Sequence, residues 1–111
     1  MIETRQINEI VNRIATNYKP EKIILFGSYA SGAFTDDSDL DFILVKETNK
    51  PRHKRGTEVR RLFYGLTIPM DFKIYTRDEF LRELSNPYSF LNSAIKESKV
   101  LYERKDGINY S

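Results

Sequence analysis

Residues 22–46, KIILFGSYASGAFTDDSDLDFILVK, set two short apolar runs around a turn-rich, acidic stretch. Lys22 to Phe26 is β-branched and aromatic, the composition of a buried strand, and Gly27-Ser28 ends it. Tyr29 to Gly32 has room for only a turn or two of helix, Ala33 to Ser38 reads as loop, and Leu40 to Lys46 returns to strand. Side chains at i and i+2 of a strand share a face, so Asp39 and Asp41 are expected to converge. A strand that ends in Gly-Ser and opens a short helix offers unpaired backbone N–H groups and a hydroxyl, a pocket for phosphate oxygens. Glycine suits that turn because a Cβ would hold a polyphosphate away from the backbone.

Upstream, Ile7, Ile10, Val11, Ile14 and Tyr18 recur at helical spacing, which predicts an amphipathic helix over 3–18, closed before Pro20. Downstream, 53–64 is expected to be helical, with Val59, Leu62, Phe63 and Leu66 on one side and Gly65 as its stop. Ile68 to Tyr75 reads as a strand, and Pro69 near its start either places it at a sheet edge or is confined to the strand's first residues. In that strand Asp71 alternates with Pro69 and Lys73 on one face, while Met70, Phe72 and Ile74 take the other. Thr76-x-x-Glu79 is a capping box opening a helix through Leu84. Asn86-Pro87 is expected to open another, with Phe90, Leu91, Ala94 and Ile95 as its buried stripe. Lys99 to Glu103 adds a last strand, and the tail beyond Arg104 reads as loose. The alternation predicts an α/β (α+β) fold, a small mixed sheet packed with helices, forming one domain over 1–111.

Composition narrows the chemistry. With no cysteine, thiolate–zinc sites, disulfides and cysteine nucleophiles are excluded, and a single histidine argues against a histidine-based metal site or triad. The longest apolar runs, Ile23 to Phe26 and Phe42 to Val45, are four residues, against the ~18 of a membrane-spanning helix. No cationic–apolar leader opens the chain, so the expected compartment is the cytoplasm. Residues 35–41 carry four aspartates and no base, whereas 46–61 carry seven Lys or Arg against Glu47 and Glu58. An acidic knot beside a basic segment suits a site that holds cations and receives a polyanion; two oppositely charged, solvated surfaces would look the same.

If the strands bearing Asp39, Asp41 and Asp71 are neighbours, three carboxylates gather within a few ångströms. Such a cluster repels itself unless a divalent cation neutralises it, and oxygen-only ligands point to Mg²⁺ or Mn²⁺. Two such ions form the usual clamp for in-line attack at phosphorus. Two simpler motifs fail on inspection. Gly27-x4-Gly32 is followed by Ala33-Phe34, where a P-loop needs Lys-Ser/Thr. Asp37-x-Asp39-x-Asp41 begins like a calcium loop, but its sixth position is Phe42 and its twelfth is Thr48.

Leu25-Phe26-Gly27-Ser28, ten residues, then Asp39-Leu40-Asp41, with Asp71 in a later strand, resembles the signature of the polymerase-beta-type nucleotidyltransferase superfamily. The small size is similar to its minimal nucleotidyltransferases, and the resemblance covers about residues 20–76. It implies that Asp39 and Asp41 hold two metal ions, Mg²⁺ with Mn²⁺ as the alternative. It further implies that Asp71 binds the catalytic ion and helps activate the attacking hydroxyl, while Gly27 and Ser28 bind the triphosphate of ATP. Family members often carry an arginine after Gly-Ser, where this chain has Tyr29-Ala30-Ser31. The missing cationic contact is then either absent or supplied by Arg52, Lys54 or Arg55.

The resemblance also implies a partner, a HEPN-domain ribonuclease toxin, silenced by transfer of AMP from ATP onto a tyrosine. Two other readings use the same residues. One is an antitoxin that neutralises the toxin by binding alone; the other is a small-molecule adenylyltransferase of the aminoglycoside-modifying kind. Direct DNA binding is not expected, because the basic run is short.

Overall fold

Ile10, Val11 and Ile14 are buried along one stripe of the first helix, α1 (Thr4–Asn17), whose first turn is closed by the Glu3 amide donating to Gln6 Oε1 at 2.8 Å. In the computed structural model, which describes residues 2–104, this stripe lies against one face of a four-stranded sheet. The strands are β1 (Lys22–Phe26), β2 (Leu40–Val45), β3 (Met70–Tyr75) and β4 (Lys99–Glu103), in the order β3-β2-β1-β4. β1 is antiparallel to β2 and to β4, and β2 is parallel to β3, so the sheet is mixed. The helices between them are α2 (Ser28–Ser31), α3 (Gly56–Arg61), α4 (Arg77–Leu84) and α5 (Phe90–Ile95).

Both faces of the sheet are covered, which is why β1 and β2 are apolar almost throughout. On one face, Leu25, Leu40, Phe42, Leu44, Phe72 and Ile74 meet the buried residues of α1 with Val59 of α3. Phe42, Phe72 and Phe63 form a ladder of near-parallel rings with centroids 5.6 and 6.2 Å apart. On the other face, Ile24, Phe26, Ile43, Val45 and Tyr75 pack with Phe80 of α4 and Leu91 of α5.

The expected order of elements stands, with two helices placed differently. The helix expected over 53–64 is a 3-10 turn at Arg52–Lys54 followed by α3, which stops at Arg61. Tyr64 therefore lies beyond the helix and is 93% exposed, and Leu66 is also exposed, while Phe63 is buried. The last helix opens at Ser89, not at Asn86-Pro87: Ser89 Oγ accepts from the Asn92 amide at 3.0 Å. Phe90, expected in the buried stripe, is half-exposed beside a buried Leu91. Pro69 directly precedes β3, which is an edge strand. The expectation of a loose tail beyond Arg104 falls on 105–111, outside the described residues.

Candidate functional site

The C-terminal end of β1 and the N-terminal ends of β2 and β3 meet at one end of the sheet. Phe26 pairs with Asp41 across the antiparallel ladder, and Asp41 pairs with Asp71 across the parallel one. Directly paired residues share a face, so the carboxyls of Asp41 and Asp71 stand side by side on the face covered by α4 and α5. Asp39 sits one residue before β2 and is exposed. It is still near enough for its charge to act on Asp41.

Gly27 closes the third side. Its backbone takes φ +78° and ψ −157°, a region essentially restricted to glycine. A Cβ built there would lie 2.5 Å from Asp41 Oδ2, so the turn is moulded around that carboxylate. Ser28 and Tyr29 occupy the first positions of α2, where amides have no intrahelical carbonyl to reach. Tyr29 itself is a core residue. Its ring stacks on Phe34 with centroids 4.6 Å apart, and its hydroxyl accepts from the Ile2 amide at 3.2 Å.

Partial burial, reinforced by the charges of Asp71 and Asp39, holds the Asp41 carboxyl above its ordinary range, while Lys73 acts in the opposite sense. Lys73 Nζ is 3.6 Å from Asp71 Oδ2 and 5.3 Å from the centre of the Phe90 ring. Among the described residues, no three acidic or histidine side chains draw together into a ready-made coordination cluster. The expected convergence is thus a pair, Asp41 and Asp71, with Asp39 at the mouth of the strand and Lys73 drawn onto Asp71. An oxygen-only donor set, an excess of negative charge around a half-buried carboxyl and a cradle kept free of a Cβ all suit a hard divalent cation.

Two clefts flank this row. One, about 440 Å³, is lined by Phe26, Gly27, Ser31, Phe90, Lys96 and Glu97 among others. The other, about 340 Å³, runs along β3 between Arg52, Lys73, Tyr75 and Phe90. Phe90 belongs to both, with its ring edge-to-face on Phe26 at 5.6 Å.

Of the three basic residues proposed to replace the absent arginine, Arg55 is committed elsewhere. It is buried and gives two hydrogen bonds to Glu79, at 2.6 and 3.2 Å, one to the Lys50 carbonyl and one to the Ile74 carbonyl. Arg52 lies over the Tyr75 ring at 4.8 Å with its guanidinium 3.8 Å from Glu79, and Lys54 is exposed in the 3-10 turn. A cation that does share a cleft with Gly27 is Lys96, at the end of α5, which only folding brings to the Gly-Ser turn.

Residues 8–107 match the family model described as polymerase beta, nucleotidyltransferase. Two proteins of Methanocaldococcus jannaschii, each carrying the name "putative protein adenylyltransferase", are similar to the chain. One is 34% identical over 92% of this chain and 100% of its own length; the other is 38% identical over 72% and 89%. Among solved structures, a Sulfolobus solfataricus protein described as a "putative nucleotidyltransferase" superposes with a TM-score of 0.62 at 23% identity, covering 93% of this chain and 82% of its own. A toxin–antitoxin structure with AMP-PNP superposes with a TM-score of 0.58 at 20% identity, covering 88% and 73%. At these identities the two structural matches speak for the fold.

Proposed function

Since this chain belongs to the polymerase beta nucleotidyltransferase family and is a nucleotidyltransferase, we propose that it moves AMP from ATP onto a hydroxyl of a partner protein. The acceptor is a tyrosine of a HEPN-type ribonuclease toxin, and the chain acts in the cytoplasm as the antitoxin of that pair. The observation that carries this reading is the Asp41–Asp71 pair set against the Gly27 cradle. The name borne by both M. jannaschii relatives supports protein adenylylation, and the fold shared with a toxin–antitoxin structure supports the partner class.

In this reading Asp39, Asp41 and Asp71 hold two divalent ions, Mg²⁺ or Mn²⁺. Bound there, such ions neutralise phosphate charge and lower the pKa of an attacking hydroxyl. The chain's own part is positioning and charge placement. The amides at the start of α2, with the Ser28 hydroxyl, take the triphosphate tail, and Lys96 supplies positive charge at the cleft wall. The remainder of the nucleotide occupies the 440 Å³ cleft against Phe26 and Phe90. Asp71, on the edge strand, orients the acceptor oxygen. That oxygen forms a bond to the α-phosphorus, the bond from that phosphorus to the bridging oxygen breaks, and pyrophosphate leaves. The hydroxyl proton passes to solvent past Asp71.

Incubation of the chain with α-labelled ATP, Mg²⁺ and the protein encoded beside it tests this directly. Label on that protein, lost with Asp41→Asn and with Asp71→Asn, is the expected result. Wild-type chain that transfers no label, or transfer that survives both substitutions, overturns the reading. Protection of cells from the neighbour by an Asp41→Asn chain would show neutralisation by binding alone.

A further inference from the structure

Lys73 pairs with an acid of the carboxylate row, and two contacts hold it there. Its ammonium lies 3.6 Å from Asp71 Oδ2 and 5.3 Å from the centre of the Phe90 ring. It stands two residues after Asp71 on the same face of β3, opposite Ile43 in the next strand. The neighbouring cations are engaged differently: Arg55 is buried on Glu79, Arg52 lies over Tyr75, and Lys96 lines the cleft on the far side of Phe90. Both members of the Lys73–Asp71 pair remain about two-fifths exposed, at 43% and 42%, so the contact is weak and can be exchanged.

We propose that Lys73 is a positioning residue that occupies Asp71 until substrate arrives, resisting a bare metal ion but favouring a metal ion that comes with nucleotide. The inference rests on the reading above, in which the aspartates hold divalent cations. An ion entering alone must displace the ammonium from Asp71 and leave it beside a second positive charge. A nucleotide brings phosphate oxygens, which give the displaced ammonium a new anionic partner on the same face. Binding of ion and of nucleotide is therefore coupled through one side chain, and the coupling is reciprocal. Phe90, shared by the two clefts, is the ring over which the ammonium rests and turns.

The test is a thermodynamic cycle on the full chain. Mn²⁺ binding is followed by the electron paramagnetic resonance signal of the free ion, with and without saturating α,β-methylene-ATP, for wild type, Lys73→Met and Lys73→Arg. Without nucleotide, Lys73→Met is expected to bind Mn²⁺ about two- to fivefold more tightly than wild type, the span of a half-exposed ion pair. With nucleotide present the advantage disappears or reverses, and Lys73→Arg behaves as wild type. Higher salt shrinks the difference. Mn²⁺ affinity unchanged or weakened by Lys73→Met overturns the inference, since a purely structural lysine would alter melting and leave the ratio alone. If Lys73→Met does not fold, Lys73→Gln, which removes the same charge from a two-fifths-exposed position, must shift the ratio in the same direction. Failure of the wild type to bind Mn²⁺ at all overturns the metal reading itself, whereas wild-type binding with an unaltered ratio overturns only the role of Lys73.

Discussion

Gly27 and Gly32 bracket α2, and both have positive φ, +78° and +88°, but for different reasons. Gly32 is an ordinary left-handed helix terminus with open space where a Cβ would go, so Gly32→Ala should cost about 1 kcal/mol in urea denaturation and leave nucleotide binding intact. At Gly27 the backbone region is closed to other residues and the added carbon would strike Asp41. Gly27→Ala should therefore cost about 1–3 kcal/mol and abolish α,β-methylene-ATP binding in calorimetric titration. Asp41 gives a prediction of opposite sign. Its folded-state pKa lies above the ordinary 3.8, so the metal-free chain loses stability as pH rises past 3.8 through that folded value. Metal-free Asp41→Asn should melt at or above the wild type at pH 7 by circular dichroism, with the advantage fading below pH 3.8. Saturating Mg²⁺ should reverse the order, because ligand bound to the folded state stabilises only the chain that can hold it.

Between elements, the most consequential contact is one that carries no chemistry. Arg55 ties the segment before α3 to Glu79, which also closes the capping box of α4 by accepting from the Thr76 amide at 2.8 Å. The Arg55 hydrogen bonds hold the Glu79 carboxyl down to about 2, from an ordinary 4.5. Because the unfolded chain takes up the proton first, this pair stabilises the fold above pH 4.5 and loses its effect as pH falls from 4.5 towards about 2. Arg55→Met should flatten that part of the acid unfolding profile, and Arg55→Ala should cost about 2–4 kcal/mol at pH 7 by urea denaturation. The pair also marks where sequence reading runs out. β1, β4 and α4 were legible to the residue, because Ile23-Ile24-Leu25-Phe26, the short apolar run Val100-Leu101-Tyr102 and Thr76-x-x-Glu79 are local signals. The likeness of Gly27-Ser28 and Asp39-x-Asp41 to a family signature likewise needed no fold. Burial of Arg55 was not legible, since it depends on an acid 24 positions away in another element. The start of α5 was misplaced because Pro87 and Ser89 are both good helix openers two residues apart, and only the packing of Leu91 decides between them.

At the scale of the whole molecule, the sheet keeps two separate apolar layers, and the carboxylate row sits at the end of the one roofed by α4 and α5. Adjacent residues of α5 should accordingly respond in opposite ways. Leu91 is fully buried in that layer, so Leu91→Ala should cost about 2–5 kcal/mol of stability. Phe90 is half-exposed, so Phe90→Ala should cost about 1 kcal/mol or less in urea yet weaken α,β-methylene-ATP binding several-fold by calorimetry. Asp71 faces Asp41 only because Phe72 and Ile74 are seated in the opposite layer, and alternation along a strand makes those two facts one. A slip of β3 by a single position would thrust Asp71 and Lys73 among the stacked phenylalanines and strand Phe72 and Ile74 outside the layer that seats them. A slipped register is thereby lost to packing and to chemistry at once, and any cellular proofreading that clears that misfolded form also clears that inactive one.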